Sequence, residues 1–596
     1  MIVEELNRVI KEAVVHTSGE STEKVETYDI SLEHPKSLEH GDYSFAALKI
    51  IRHPLGVDRG MKKEHPNATI SINATPNPRV HAEAIAQYIR TNLPKGIEKV
   101  EVAGVGFINF YLTKEFFAGQ IAETLRLGKD YGKNKNLDGK KVMVEYTDPN
   151  PFKEFHIGHL MSNAIGESVA RIFEYNGVKV LRACWQGDVG LHVAKAIWGA
   201  QEKVRSEKSK VKSLTVNDWA EAYVVGSEKY ESDETVKKEI NELNKKIFER
   251  SDKIVNELYD QGREVSLAHF EEIYKKLGTK FVYYFFEGKE GVLGKPIVEE
   301  NLGKGIFEKS DGAIVFKGEP YGLHTRVFLN SLGLPTYEAK ELGLNKRKFE
   351  LEPDLYKSVI ITGNEINEYF KVLLKVMSFI MPKVAEKTVH LPHGMLRMTT
   401  GKMSSRKGNV ITGEGLIAQV KELVAEKIKD REMPEDEKKT LTEIVAVGAI
   451  KYSILRQAIG GDIIFDFEKS ISFEGDSGPY LQYSYVRAKS VLGKAKSLKV
   501  QPWDGKKVEP WETTTLEKLL YRFPEIVERT GTELEPHSIA TYLIELAGAF
   551  NSWYAKEHIV DANDPSSSYK VALTSAFATT MKNGLWLLGI AVPERM

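Results

Sequence analysis

Cysteine is nearly absent from this chain of 596 residues, which contains Cys184 and no second thiol. One thiol excludes an intramolecular disulfide framework and any zinc site that needs several cysteines, and it suits a reducing compartment. Long apolar runs are absent too. None reaches the roughly 20 residues of a membrane helix. The first residues, MIVEELNRVIKEAVVHTSGE, do not have the basic start followed by a long apolar run that marks a signal peptide. These absences predict a soluble cytoplasmic protein.

A strong net charge is also missing, because 83 basic residues stand against 84 acidic ones. Whole-chain charge therefore neither requires nor excludes a nucleic-acid partner, which would have to contact local basic patches. The length exceeds the ~250–300 residues at which single cores stop growing, so three or more domains are expected.

Three stretches of different pattern follow one another along the chain. Residues 1–115 alternate helix and strand signals, which predicts a small α/β domain. Residues 116–420 begin with strand, helix, strand, a βαβ unit that predicts a parallel sheet with ligands at the carboxyl ends of its strands. Charged amphipathic helices around 202–320 indicate an insertion there. Residues 421–596 have long apolar stripes at helical spacing and no strand pattern, which predicts an all-α helical bundle.

The stretch NPFKEFHIGHL places His156 and His159 at the turn after the first strand of the βαβ unit, with Gly158 between them. Two histidines at this spacing could bind zinc, but such a site needs a third ligand nearby, and the single cysteine supplies none. Imidazole N–H groups at a helix N-terminus suit phosphate charge instead, and Gly158 leaves room for a flat purine. The turn is therefore predicted to bind a nucleotide.

A later stretch, GKMSSRKGNVI, is predicted to be an exposed loop. It combines cationic and hydroxyl side chains, namely Lys402, Ser404, Ser405, Arg406 and Lys407. This mixture suits either a solvated basic loop or a phosphate clamp. Its place after the last strands of the same sheet as the histidine turn favours the clamp.

Together HIGH at 156–159 and KMSSR at 402–406 resemble the two signature motifs of class I aminoacyl-tRNA synthetases. VEYTDPNPFKEFHIGH, YLQYSYVRAKS and the terminal LLGIAVPERM narrow the resemblance to arginyl-tRNA synthetases. The resemblance implies a Rossmann-like catalytic domain, an N-terminal tRNA-binding domain and a helical anticodon-binding domain. It also implies a monomeric arginine–tRNA ligase whose substrates are arginine, tRNA(Arg) and ATP with Mg²⁺, without a prosthetic group.

The same resemblance implies amino-acid contacts at Glu145, Asn150, His156, Tyr337, Glu341 and Glu365. Independently of any family, a planar guanidinium calls for carboxylate acceptors, and Glu145 ends an apolar strand at the ligand end of the sheet. Glu341 stands where the family usually has the shorter aspartate. Ordinary helix-surface charge is an alternative interpretation of both Glu341 and Glu365.

One motif position departs from the class I pattern, because Ser405 replaces the usual second lysine of the loop. Arginyl enzymes that lack this lysine often have one just before the first histidine, where Lys153 stands here. The resemblance therefore assigns the missing charge to Lys153, with Arg406 and Lys407 as loop alternatives.

Contacts with tRNA are implied at two places. Phe107 and Asn109 match a pair that reads the tRNA elbow in some bacterial relatives. Near the anticodon, the resemblance implies Tyr480, Tyr483, Arg487, Tyr554 and Met596. An aromatic and basic group of this kind suits stacking on unpaired bases, although tyrosines at helical spacing are as often core residues.

Overall fold

The computed structural model describes residues 2–18, 21–28, 30–51, 78–207, 214–398, 412–505 and 511–596. The chain divides into two compact units. The first contains Met1–Gly128, Ser490–Arg522 and Ala549–Thr579, and the second contains Lys129–Lys489, Phe523–Gly548 and Thr580–Met596. Within the described ranges, no helix combines the length and the apolar character that crossing a bilayer requires.

Helices dominate the structure and strands are short. The strands are β1 (Tyr43–Ala46), β2 (Ile97–Ala103), β3 (Phe107–Leu112), β4 (Lys141–Glu145), β5 (Lys179–Gln186), β6 (Tyr283–Phe286), β7 (Glu308–Ser310), β8 (Ala313–Phe316), β9 (Arg326–Leu329), β10 (Lys357–Gly363), β11 (Thr388–His393), β12 (Leu396–Met398) and β13 (Ile463–Phe465).

The α-helices are α1 (Ile2–Ser18), α2 (Thr22–Glu26), α3 (Leu48–Ile51), α4 (Pro78–Thr91), α5 (Lys114–Leu127), α6 (Ile157–Tyr175), α7 (Leu191–Glu207), α8 (Val216–Ser232), α9 (Glu234–Glu249), α10 (Lys253–Leu277), α11 (Glu287–Glu290), α12 (Gly294–Leu302), α13 (Tyr337–Leu351), α14 (Asn367–Ile380), α15 (Pro382–Lys387), α16 (Gly413–Lys427), α17 (Glu435–Leu455), α18 (Phe467–Ser470), α19 (Gly478–Ser497), α20 (Thr515–Leu520), α21 (Phe523–Glu533), α22 (His537–Lys556) and α23 (Ser567–Leu587).

The first unit contains an antiparallel sheet in the order β1-β3-β2. Phe45 of β1 lies opposite Ile108 of β3, and both are fully buried together with Phe110. Gly106 allows the turn between β2 and β3, because its φ is +121° and a Cβ there would lie 2.9 Å from the carbonyl oxygen of Pro78. The predicted N-terminal α/β fold is confirmed.

The second unit is built on a parallel sheet in the order β11-β10-β4-β5-β6. Its central strand β4 is apolar and buried, and α6 connects it to β5 as the predicted βαβ unit. Ala183 and Ile360 of the two neighbouring strands pair with Glu145, the last residue of β4. The carboxyl end of β4 therefore lies in the middle of the sheet edge where ligands of such folds bind.

The stretch around 202–320 contains α8, α9 and α10, whose N-termini are capped by Thr215, Asp233 and Asp252. It also contains β6, a strand of the main sheet that the sequence did not reveal. Its residues, YYFF, are too few to show the alternation of a strand. The chain after 421 is helical, as expected, except for β13, which pairs with β12.

Candidate functional site

The histidine turn caps the N-terminus of α6 with its own side chains. The backbone N–H of Gly158 donates to Nδ1 of His156 (3.1 Å), and the backbone N–H of His156 donates to Nδ1 of His159 (3.2 Å). The two rings stack with centroids 3.4 Å apart. Because Nδ1 accepts in both rings, each neutral imidazole carries its proton on Nε2. The turn therefore presents two Nε2–H donors at a helix N-terminus.

The electrostatic environment keeps these rings neutral. Burial lowers the pKa of His159 well below its usual value, and the charge of Lys153 lowers it further. The pKa of His156 is also lowered, by burial and then by Lys153. Burial and Lys153 lower the pKa of His192 to about 4, and its Nε2 donates to the carbonyl oxygen of Gly187 (2.8 Å). The charge of Lys153 therefore acts on the histidines of this site, and its part in binding phosphate stays a prediction.

Lys153 lies against one helix of the predicted insertion. Its ammonium lies 5.2 Å from the ring centroid of Tyr223 on α8, within the range of a cation–π contact. An aromatic support of this kind limits where a long lysine side chain can point. The insertion thus contributes to the surroundings of the histidine turn.

A buried ion pair lies at the carboxyl end of β4. Nζ of Lys348, on α13, is 2.9 Å from Oε2 of Glu145, and both side chains are excluded from solvent. Neither atom makes a hydrogen bond with any group that the structure describes. A buried carboxylate normally accepts several hydrogen bonds, so this one retains capacity for a further cationic donor.

Two more carboxyl groups crowd the same end of the sheet. Burial raises the pKa of Asp148 well above its usual value, and the nearby charge of Glu145 raises it further. Burial and Glu145 likewise raise the pKa of Glu341 to about 8. Because Lys348 is a cation set against three carboxyl groups, this cluster is suited to receive a second positive charge.

The loop after β4 is shaped by residues with unusual backbone angles. Thr147, Asp148 and Phe152 have positive φ values of +82°, +48° and +68°. Oδ1 of Asp148 accepts from the backbone N–H of Trp185 (2.7 Å), which ties this loop to β5. Side chains in such backbone conformations persist where the surroundings enforce them, and often at functional sites.

The other residues expected around arginine differ in their surroundings. Oδ1 of Asn150 accepts from the backbone N–H of Gly187 (3.2 Å), where a Cβ would overlap Asn150. Tyr337, which begins α13, is 64% exposed, whereas Glu341 one turn later is 5% exposed. The charge of Glu365 offsets part of the lowering of the pKa of His156, and the Glu365 side chain is exposed. The structure thus groups Glu365 with the histidines rather than with the buried carboxyl groups.

The basic loop cannot be compared in the same way, since Lys402, Ser404, Ser405, Arg406 and Lys407 lie outside the described residues. The chain that follows it is described. Thr412 forms a β-bridge with His156, and the backbone N–H of Gly413 donates to the carbonyl oxygen of Phe155 (2.7 Å). The segment that leaves the loop therefore lies directly against the histidine turn.

An aromatic and basic cluster lies on α19 in the second unit. The guanidinium of Arg487 is 4.8 Å from the ring centroid of Tyr483, and the ring of Phe473 lies 6.4 Å from that of Tyr483. Arg431 stacks on Phe473 at 5.6 Å. Tyr480, Tyr483, Arg487 and Met596 are partly exposed, whereas Tyr485 is buried. Phe473 and Arg431 extend the cluster beyond what the sequence suggested.

In the first unit, Phe107 and Asn109, the two residues predicted to contact the tRNA elbow, differ in their exposure. Phe107 is 42% exposed, but Asn109 is 4% exposed, and its Oδ1 accepts from the hydroxyl of Ser44 (2.7 Å). Tyr554, the anticodon residue expected in this unit, is 39% exposed. Phe107 and Tyr554 are therefore accessible, while the side chain of Asn109 is engaged within the sheet.

Lys348 and Asp148 were not identified from the sequence. Lys348 follows Glu341 by two helical turns, so the spacing of charged residues on one face of α13 could have indicated it. Asp148 stands inside the stretch after β4, but nothing local shows that its carboxyl group joins those of Glu145 and Glu341. Both residues share a cluster with Glu145 and Glu341 only because distant segments of the chain pack together.

A parallel sheet with a histidine-capped helix N-terminus at the carboxyl end of its central strand defines a Rossmann-like, nucleotide-binding catalytic domain of class I type. The family profile described as "tRNA synthetases class I (R), catalytic domain" matches residues 120–467. Profiles described as "Arginyl tRNA synthetase N terminal domain" and "DALR anticodon binding domain" match residues 4–112 and 481–596.

Whole-chain comparisons agree. An arginine–tRNA ligase of Clostridium acetobutylicum is 32% identical over 524 residues, which cover 87% of this chain and 91% of that protein. One of Streptococcus agalactiae is 31% identical over 576 residues, 95% of each chain. The solved structure of Thermus thermophilus arginyl-tRNA synthetase has the same fold, with a TM-score of 0.78, 22% identity and full coverage of both chains. The chain belongs to the arginyl-tRNA synthetase family.

Proposed function

We propose that this protein is an arginine–tRNA ligase. It activates arginine with ATP to arginyl-adenylate and transfers the arginyl group to the terminal ribose of tRNA(Arg). Activation depends on bound tRNA, as the family resemblance implies. The observation that carries the proposal is the cluster of Glu145, Asp148 and Glu341 at the carboxyl end of β4, with Lys348 as its internal cation.

The cluster supports arginine as the amino acid. A guanidinium stays charged at any physiological pH and presents five donors in a rigid plane, which carboxylates accept in pairs. Glu145 and Glu341 supply such acceptors and are buried, and charge-assisted hydrogen bonds are strong away from water. Asn150, Tyr337 and Glu365 complete the proposed set of amino-acid contacts.

The histidine turn supports the nucleotide role. The arginine carboxylate attacks the α-phosphorus of ATP, and catalysis consists mainly of positioning and of neutralising phosphate charge. The Nε2–H groups of His156 and His159 face the developing charge, and Gly158 leaves space for the base. Lys153 adds a positive charge. The loop residues Lys402, Ser404, Arg406 and Lys407 are proposed, from their motif, to clamp the phosphates, and Mg²⁺ enters with ATP as part of the substrate.

The exposed aromatic residues support tRNA binding at two places. Tyr480, Tyr483, Arg487, Tyr554 and Met596 are proposed to contact the anticodon region, where rings stack on unpaired bases. Phe107 and Asn109 are proposed to contact the elbow. Because the Asn109 carbonyl is already bonded to Ser44, its amide group is the part proposed to contact RNA.

The proposal also covers the domain limits, the compartment and the assembly state. We place the N-terminal domain at 1–115, the catalytic domain at 116–420 and the anticodon domain at 421–596. A cytoplasmic monomer fits the single, buried Cys184, whose pKa is raised by burial so that its thiol stays protonated and unreactive.

The test is aminoacylation with each amino acid in turn. The protein is incubated with ATP, one labelled amino acid and total tRNA, and ATP–pyrophosphate exchange is measured with and without tRNA. Arginine alone is expected to be charged, and exchange is expected to require tRNA. Charging of lysine, whose single ammonium could use the same carboxylates, would overturn the substrate assignment. Absence of any charging would indicate an RNA-binding protein without catalysis.

A further inference from the structure

Glu167, in the middle of α6, is a buried carboxylate that the proposed chemistry does not use. It is 2% exposed and accepts four hydrogen bonds, one of them from Nη2 of Arg182 to Oε1 (3.2 Å). Nε of Arg171 donates to Oε1 (2.7 Å), Nε of Arg182 donates to Oε2 (3.0 Å), and the hydroxyl of Tyr146 donates to Oε2 (2.6 Å). Two guanidinium groups thus keep this carboxylate ionised in the interior, and Tyr146 is bonded to a charged acceptor.

Tyr146 follows Glu145 directly and continues β4, since its backbone N–H donates to the carbonyl oxygen of Ala183 (3.2 Å). The ring is fully buried, lies 4.9 Å from that of Phe281, and covers Gly166 so closely that a Cβ there would overlap it. Successive residues of a strand face opposite sides of the sheet. Tyr146 is therefore held against α6 while Glu145 faces Lys348 on α13.

Arg171, which donates to Glu167, is itself held by two further hydrogen bonds. Nη1 of Arg171 donates to the carbonyl oxygen of Trp586 (2.9 Å), and its Nη2 donates to that of Gly278 (2.9 Å). These carbonyls lie at the C-terminal ends of α23 and α10, where the helix dipole favours a cation. Lys451 bridges the same two ends, because its Nζ donates to Leu277 (2.6 Å) and Gly589 (2.8 Å). Glu167 is thus fixed from several elements at once.

We infer that Tyr146 and Glu167 are positioning residues of the amino-acid site, which hold the end of β4 in the place that Glu145 needs to bind arginine. Neither touches substrate. Tyr146 transmits the position of α6 to the strand end through its hydroxyl and its ring. This inference rests on the proposed function, because it takes Glu145 as an arginine contact.

The test is Tyr146→Phe, which removes only the hydroxyl. We expect the KM for arginine to rise about three- to tenfold while kcat and the KM for ATP stay within about twofold, because the hydrogen bond to a charged acceptor is lost but the packed ring remains. Tyr175→Phe is the matched control. Tyr175 is a buried tyrosine on α6, the helix that contains Glu167, and its hydroxyl donates to the carbonyl oxygen of Lys129 (3.0 Å), outside this network.

A second variant disturbs the ring of Tyr146 through a residue on α6. Gly166→Ala pushes a methyl group into the ring of Tyr146 and leaves every hydrogen-bonding group present, and it too is expected to raise the KM for arginine selectively. Gly548→Ala is its control, because a Cβ on Gly548 meets no atom within 4 Å. The thermal midpoint of each variant is measured alongside.

The outcomes are distinct. If the wild-type protein charges no arginine, the proposed function fails before any variant is made. If it does, and Tyr146→Phe has the same KM for arginine as Tyr175→Phe, the positioning role is overturned. A uniform change of kcat and both KM values, with a matching fall in the thermal midpoint, would mean that the residue serves stability alone and would overturn it as well.

Discussion

Nζ of Lys348 lies 2.9 Å from Oε2 of Glu145, and the two side chains form an ion pair that is closed to solvent. Removing one partner of such a pair leaves a buried charge without compensation, which typically costs ~3–5 kcal/mol. Lys348→Met is therefore expected to lower the free energy of unfolding by about that amount near neutral pH. Urea denaturation followed by intrinsic fluorescence measures it.

The control for this variant is Lys346→Met on the same helix. The Lys346 side chain is 55% exposed and 3.8 Å from the carboxylate of Glu350, so its loss should change the free energy of unfolding by no more than about 0.5 kcal/mol. Equal stability of the two variants would show that the buried pair adds nothing to the fold.

Arginine binding is expected to strengthen as the pH rises toward 8. In the protein without substrate, burial and the charge of Glu145 raise the pKa of Glu341 to about 8, so this carboxyl is protonated at lower pH. A bound guanidinium favours the carboxylate, which lowers that pKa and releases a proton. Arginine affinity should therefore increase from pH 6 to 8 and level off above.

Calorimetric titration of arginine in buffers of different ionisation enthalpy measures the proton released. Glu341→Gln, which cannot ionise, should bind arginine more weakly and with little dependence on pH. Proton uptake by the wild-type protein, or an affinity independent of pH, would contradict the raised pKa as the origin of the effect.

Lys153→Ala is expected to slow ATP–pyrophosphate exchange by about 10²- to 10³-fold, the size of effect found when one group that stabilises an oxyanion is removed. The same substitution should also move the acidic limb of the pH–rate profile of exchange to higher pH. The charge of Lys153 lowers the pKa of His156 and of His159, so its loss raises both values and the rings become protonated earlier as the pH falls.

Lys195→Ala is the matched control for Lys153→Ala. Lys195 lies 4.3 Å from the ring centroid of Tyr230, a cation–π contact like that of Lys153 with Tyr223, but unlike Lys153 it is not among the main causes of the pKa shifts of His156, His159 and His192. Its loss should leave exchange unchanged. Full exchange activity in Lys153→Ala would refute the proposal that Lys153 supplies the positive charge missing from the loop at Ser405. The family assignment would remain intact.

Tyr483→Ala is expected to weaken tRNA binding by about 5- to 150-fold, because stacking on an unpaired base contributes ~1–3 kcal/mol. Tyr483→Phe keeps the ring and gives up only the 3.3 Å hydrogen bond from Arg487, so it should bind tRNA nearly as well as the wild type. Filter binding measures both, with the KM for arginine as the internal reference. Identical affinities of the Ala and Phe variants would exclude stacking at this position.

Much of the site is predictable because its signals are local. The histidine turn, with Gly158 between its two rings, follows a short apolar strand and begins a helix, and each of these features is written in a few consecutive residues. Glu145 is predictable for the same reason, since it closes that strand. The aromatic residues of α19 stand out as a group, although the sequence does not tell Tyr485, which is buried, from Tyr483, which is partly exposed.

The sequence by itself determined the order of the domains, the parallel sheet and the motifs at its carboxyl edge, because strand and helix periods and motif spacings depend on near neighbours. Only the tertiary structure decided that Lys348 meets Glu145, that Asp148 lies close enough to Glu145 to be affected by its charge, that Lys153 lowers the pKa of three histidines, and that Tyr146 is bonded to Glu167. Burial, pKa shifts and ion pairs arise where packing joins distant segments, and no local pattern encodes that meeting.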